Sequence, residues 1–195
     1  MHLSFDNLKG LGIVTMKKIL YFLISLTLFF SNPTIAYAMP RTDVVKHGGW
    51  VDLSNEDMQD TIVALVEQIA KEQQLPYVPT VSCFDWVEFH ALAYNTLITK
   101  TICVNLAHFR NDLDASAAGV SVEYHLVKTL AHEVRHSYQW QHQLDDSDYG
   151  RACYINFTYP VEYNGYNKAE YVAQFIELDA EMYGDDFAQR FFKKK

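Results

Sequence analysis

The chain has 195 residues, 49% of them hydrophobic and 21% charged, which excludes a disordered or fibrous protein and leaves an ordinary globular one. Its formal charge is −8, and residues 39–195 alone carry −10, because residues 1–38 contain three lysines and one aspartate. A domain this acidic excludes nucleic acid and anionic membrane surfaces as partners, since both require basic patches.

The N-terminus reads as a secretory leader. Residues 1–15 carry no leader features and precede Met16, so they are read as a non-native or untranslated extension arising from a start codon placed too early. Lys17 and Lys18 then form a positive segment, Ile19 to Phe30 an apolar run with only Ser25 and Thr27 polar, and Ala36-Tyr37-Ala38 a small-x-small cleavage site. The run has 12 residues, whereas a membrane-spanning helix needs about 20, so a signal peptide over 16–38 is expected rather than an anchor. Cleavage after Ala38 would leave a single secreted or periplasmic domain over 39–195 with no stable membrane anchor. Its length is sufficient to bury a core unaided.

The first element of that domain is a helix over 55–74, announced by Ser54 with Asp57 three residues on and by Met58, Ile62, Leu65, Val66 and Ile69 at helical spacing. Strand-like composition follows in 77–84, 86–94 and 100–106, the last two flanking a hairpin loop at Asn95 to Thr99. A loop with Asn111, Asp112, Asp114 and Gly119 leads to a long helix over 121–143, with Val122, Leu126, Leu130 and Val134 on one stripe. A tyrosine-rich loop occupies 145–167, and a final helix runs over 168–192 with a break expected at Gly184. The fold class is α+β: an N-terminal helix, a small sheet with a hairpin, and two long helices. Of the three cysteines, Cys83 and Cys103 lie in strand-like stretches and are the expected disulfide pair in an oxidising compartment, leaving Cys153 free.

The long helix contains His132-Glu133-Val134-Arg135-His136, an H-E-x-x-H motif. Histidines at i and i+4 share a face with Cβ atoms about 5–6 Å apart, so both imidazoles reach one ion. Glu133, rotated about 100° from His132, addresses a water beside the metal instead of the metal itself, as a general base must. A hydrolytic zinc needs a third protein ligand and an open fourth position. On the C-terminal helix Glu177 lies on a stripe of small residues, Ala173, Ala180 and Gly184, which permits close helix approach. Asp179 and Glu181 sit about 200° and 40° from it, which leaves Glu181 as the serious alternative.

An H-E-x-x-H helix followed 41 positions later by E-x-x-A, Glu177 to Ala180, with Tyr183 and Gly184 beyond, resembles the gluzincin metallopeptidases, particularly the minimal single-domain kind. The resemblance covers about residues 86–183. It implies Zn2+ held by His132, His136 and Glu177, Glu133 as the catalytic base, and a peptide or protein substrate. Metzincins are set aside, because His142 comes too early for their third histidine and the motif's glycine is absent. The donor for a developing oxyanion stays open among Tyr138, Tyr149, Tyr154, Tyr159, Tyr163 and Tyr166. Arg135 is expected to pair with Asp179 or Glu181 across the two helices, and His90, His108, His125 and His142 read as structural. Two rivals remain: a non-catalytic binding protein with structural zinc, against which the retained Glu133 argues, and a zinc amidase acting on cell-wall or other non-protein bonds, which no sequence feature separates from a peptidase.

Overall fold

The computed structural model describes residues 42–193 apart from 89–90, 112–114, 116–118 and 163–165. The expected extension 1–15 and signal peptide 16–38 lie outside the described residues, as do His90, Asp112, Asp114 and Tyr163. In chain order come α1 (Thr42–Lys46), a 3₁₀ turn (Trp50–Asp52), α2 (Asn55–Glu72), β1 (Thr80–Phe84), β2 (Ala93–Thr96), β3 (Thr101–Asn105), α3 (Leu106–Asn111), α4 (Val122–His142), α5 (Asp148–Thr158), α6 (Lys168–Val172) and α7 (Phe175–Lys193). The fold is α+β, as the sequence predicts. Among the described residues no helix is long and apolar enough to cross a membrane.

Two of the long helices, α2 and α4, begin where their caps require. Ser54 Oγ accepts from the Asp57 amide at 3.1 Å and starts α2, and Ser121 Oγ accepts from the Tyr124 amide at 3.1 Å and starts α4. Apolar residues at helical spacing then fix which face turns inward. Met58, Ile62, Leu65, Val66 and Ile69 of α2 are fully buried against Ile102 and Val104 of β3, Leu126, Leu130 and Val134 of α4, and Phe187 and Phe191 of α7. Each such side chain contributes about 1.5–3 kcal/mol on burial, which makes this core the main source of stability. Trp50 closes one end, its indole N–H donating to the Phe109 carbonyl at 3.2 Å.

The sheet has the order β1-β3-β2, with β1 parallel and β2 antiparallel to β3. The hairpin holds, but its first strand is shorter than the composition suggests. Asn105 occupies both backbone groups of Trp86, accepting from its N–H at 3.1 Å and donating to its C=O at 2.8 Å. Those groups are therefore lost to strand pairing, and β2 begins only at Ala93. The expected disulfide is also absent. Ser82 pairs with Cys103 and Cys83 with Val104 in the parallel register, which puts the two thiols on opposite faces of the sheet, and all three cysteines are free.

The C-terminal half differs in two further places. Residues 148–158, read as loop, form α5, capped by Ser147 Oγ accepting from the Gly150 amide at 2.9 Å. Gly150 marks a close approach instead of a loop, since a Cβ there would meet Asp145 O at 2.5 Å and His142 O at 2.7 Å. The final helix breaks at Ala173 and Gln174, not at Gly184. Gln174 turns its side chain onto local backbone, donating to Tyr171 O at 3.0 Å and Val161 O at 3.1 Å and accepting from the Val161 amide at 2.8 Å. Ala173 thus belongs to the cap of α6 and drops out of the small-residue stripe.

Gly184 stays helical because α4 needs the space. A Cβ there would lie 2.8 Å from the Lys128 carbonyl oxygen and 3.5 Å from His132 Cβ, and Ala180, one turn earlier, is fully buried. Gly184→Ala gains at most about 1 kcal/mol of helix propensity. Forcing the two backbones apart costs about 1–3 kcal/mol. The variant should therefore be destabilised in thermal unfolding, and any metal affinity of the neighbouring histidines should fall with it.

Candidate metal centre

The phase of α4, set at Ser121, brings His132 and His136 to the face that meets α7. Their Nε2 atoms lie 3.1 Å apart, with the rings edge to face. Glu177, in the first turn of α7, places Oε2 3.4 Å from His132 Nε2 and Oε1 3.8 Å from His136 Nε2. These three residues form a group whose ligand atoms all lie within 4.8 Å of one another. A tetrahedral ion with bonds near 2.05 Å has ligand-to-ligand edges of about 3.3 Å. The observed separations bracket that edge, so the donor set fits a zinc-sized cation. The side chains are 19%, 12% and 11% exposed, which leaves one side of the group within reach of solvent.

Glu181 approaches the same histidine from its other side. Its Oε2 faces His132 Nδ1 at 3.6 Å, and its Oε1 is held by Lys128 Nζ at 2.5 Å, which in turn binds Asp185 at 3.0 Å. Of the two carboxylates weighed in the sequence, Glu177 therefore joins the convergent group and Glu181 stands behind His132, where it orients the ring. The Glu181 carboxyl is pulled down to about 2, first by His132 and then by Lys128 against the opposing effect of burial.

No protein family, curated protein or solved structure matches this chain. The chemistry of the site is accordingly read from its own residues.

Burial alone would lower the pKa of His132, but the Glu177 and Glu181 carboxylates on either side of its ring push it up to about 10. Burial likewise works to raise Glu177, yet His132, His136 and the Tyr171 hydroxyl hold it below the usual carboxylate range. In the metal-free protein a proton thus occupies this pocket of acceptors at neutral pH. A histidine raised in the folded state contributes stability that is complete below its unfolded pKa, near 6.5, and disappears as pH climbs through about 10. Thermal unfolding of chelator-treated protein should show melting temperature declining across that window.

Glu133 is 8% exposed, and its charge acts on both His132 and Tyr171. Asn95 of β2 donates to the Glu133 carbonyl at 2.7 Å and to Ser137 Oγ at 2.8 Å, which fastens the edge strand to the motif helix. Arg135 takes Asp179 as its partner. Its Nε and Nη2 donate to the two carboxylate oxygens at 2.8 and 3.0 Å, while Tyr138, Tyr149 and Tyr183 surround the guanidinium at 4.3, 5.5 and 5.1 Å.

Most of the tyrosines considered as oxyanion donors have other roles or exposures. Tyr138 packs at a tilt against the His142 ring with centroids 4.1 Å apart, Tyr149 donates to Asp179 Oδ2 at 2.8 Å, and Tyr154, Tyr159 and Tyr166 are 49%, 76% and 98% exposed. The tyrosine that does reach the site is Tyr171 of α6, which hydrogen-bonds Glu177 and feels the charge of Glu133. Burial, then the Glu177 charge, raises its pKa, so the phenol stays protonated and able to donate. It stands six residues before Glu177, outside the tyrosine-rich stretch at 145–167.

Two of the histidines outside the motif have their own neighbours. His125 packs edge-on against Phe109 at 6.0 Å, and His142 pairs with Asp145 at 2.5 Å.

Proposed function

We propose that this chain is an exported zinc-dependent metallopeptidase of the gluzincin kind, with His132, His136 and Glu177 as metal ligands and Glu133 as general base. The observation that carries the reading is the convergence of two Nε2 atoms and one carboxylate from two helices at tetrahedral spacing, beside a buried glutamate that is not part of the group. Zinc, when bound, supplies Lewis acidity that polarises a scissile carbonyl and brings water within reach of deprotonation near pH 7. Glu133 accepts the proton of the attacking water and delivers it to the leaving amine. Tyr171, held protonated, donates to Glu177 and steadies that carboxylate beside the two imidazoles.

The edge strand supports a peptide over other amides. The Asn105 amide donates to Leu92 O at 2.9 Å, and the antiparallel register alternates from there. The backbone groups of Ala93 and Asn95 accordingly face away from β3, and no described strand pairs with that side. An extended polypeptide matches such an edge residue by residue.

The test is digestion of a defined peptide mixture by the purified chain, with chelator and with zinc restored. Cleavage abolished by chelator and recovered with about one zinc per chain is the expected result, as a three-ligand site requires. Zinc binding with no cleavage of any peptide would favour the binding protein or the amidase, and cleavage indifferent to chelator would end the metal reading.

A further inference from the structure

Gln139 lies one turn beyond the H-E-x-x-H motif, is fully buried, and uses every polar atom of its side chain. Its Nε2 donates to the Ile176 carbonyl and to Asp179 Oδ2, both at 2.8 Å. The amide orientation is thereby fixed, and Oε1 is the atom that faces His136 Nδ1 at 2.8 Å. A carboxamide oxygen only accepts, so Nδ1 must carry the ring proton and Nε2 must present its lone pair to the convergent group.

We infer that Gln139 is the positioning residue of the metal site, setting His136 and Glu177 together through one amide. The inference rests on the metal reading above. One end of the amide selects the tautomer and rotation of His136 on α4. The other end grips the carbonyl of Ile176, the residue immediately before Glu177 on α7. Asp179 holds the amide in place, because its carboxylate also collects Arg135 from α4 and Tyr149 from α5. Four donors converge on that one carboxylate and fix its position. The motif's Arg135 therefore acts on the site from a distance, through Asp179 and Gln139. Metal-binding histidines depend on such partners for orientation and basicity, and losing one weakens metal affinity about 10–100-fold.

Two measurements on the full zinc-loaded chain test this. In the wild type, long-range ¹H–¹⁵N spectra should show His136 protonated at Nδ1, with slow exchange of that proton, and bound to zinc through Nε2. Gln139→Leu should bind zinc about 10–100-fold more weakly in chelator competition. Tyr149→Phe also disturbs Asp179 but leaves the amide on His136, and should keep zinc affinity near the wild-type value if the Gln139 contacts are what matter. Zinc bound by His136 through Nδ1 would overturn the inference even if Gln139→Leu fails to fold. A folded Gln139→Leu with wild-type affinity would do the same, showing that the residue only packs. A wild type that binds no zinc removes the metal reading and this inference together, which separates the two failures.

Discussion

Glu133→Gln is expected to abolish peptide hydrolysis while leaving zinc in place. The substitution is isosteric and changes neither of the contacts that hold this turn of α4, since Asn95 donates to the backbone carbonyl of residue 133 and not to its side chain. Nor does it remove a member of the His132, His136 and Glu177 group. What disappears is the carboxylate able to accept a proton from water. Loss of a positioned general base costs about 10²–10⁴-fold in rate, equivalent to about 3–5 kcal/mol of transition-state stabilisation. Turnover of a fluorogenic peptide and metal content of the same sample decide the matter. Equal turnover in wild type and variant would exclude Glu133 as the base, while loss of zinc along with activity would place it among the ligands.

What the sequence disclosed and what it concealed follow from how local each determinant is. His132 and His136 are legible because their convergence depends only on the pitch of one helix whose cap and apolar stripe are themselves local. Glu177 is legible through Ala180 and Gly184, small residues whose reason for being there is the approach of α4; Ala173, at the matching spacing, caps a different helix. The hidden features all turn on side chains that capture distant or irregular backbone. Asn105 removes Trp86 from strand pairing across 19 residues, and Gln174 ends α6 by bonding to Val161 and Tyr171. Glycine misleads in both directions for the same reason. Gly150 and Gly184 look like breaks, yet each sits within a helix at a point where carbonyl oxygens come too near for a Cβ. The expected pairing of Cys83 and Cys103 failed on register, because strand composition does not say which face a thiol occupies.

Glu177→Ala and Glu181→Ala should separate a ligand from a residue that supports one. The two carboxylates are one helical turn apart and both interact with His132, but at opposite ring nitrogens, Nε2 for Glu177 and Nδ1 for Glu181. Glu181→Ala leaves the convergent group complete and frees Lys128 from one of its two partners. Zinc affinity should then fall within the roughly 10–100-fold range found for partners of ligating histidines. Glu177→Ala leaves two imidazoles only, too few for a hydrolytic zinc site, so the loss should exceed that range and take activity with it. In the metal-free state both variants should lower the pKa of His132, since each removes an acceptor that raises it. The decline in thermal stability between about pH 6.5 and 10 should therefore flatten in both. Proton and metal thus draw on the same two glutamates differently: both act in the pH profile, whereas only Glu177 belongs to the convergent group. If Glu181→Ala proved the more damaging to zinc binding, the third ligand would be Glu181, and α7 would have to turn by about 40° to present it.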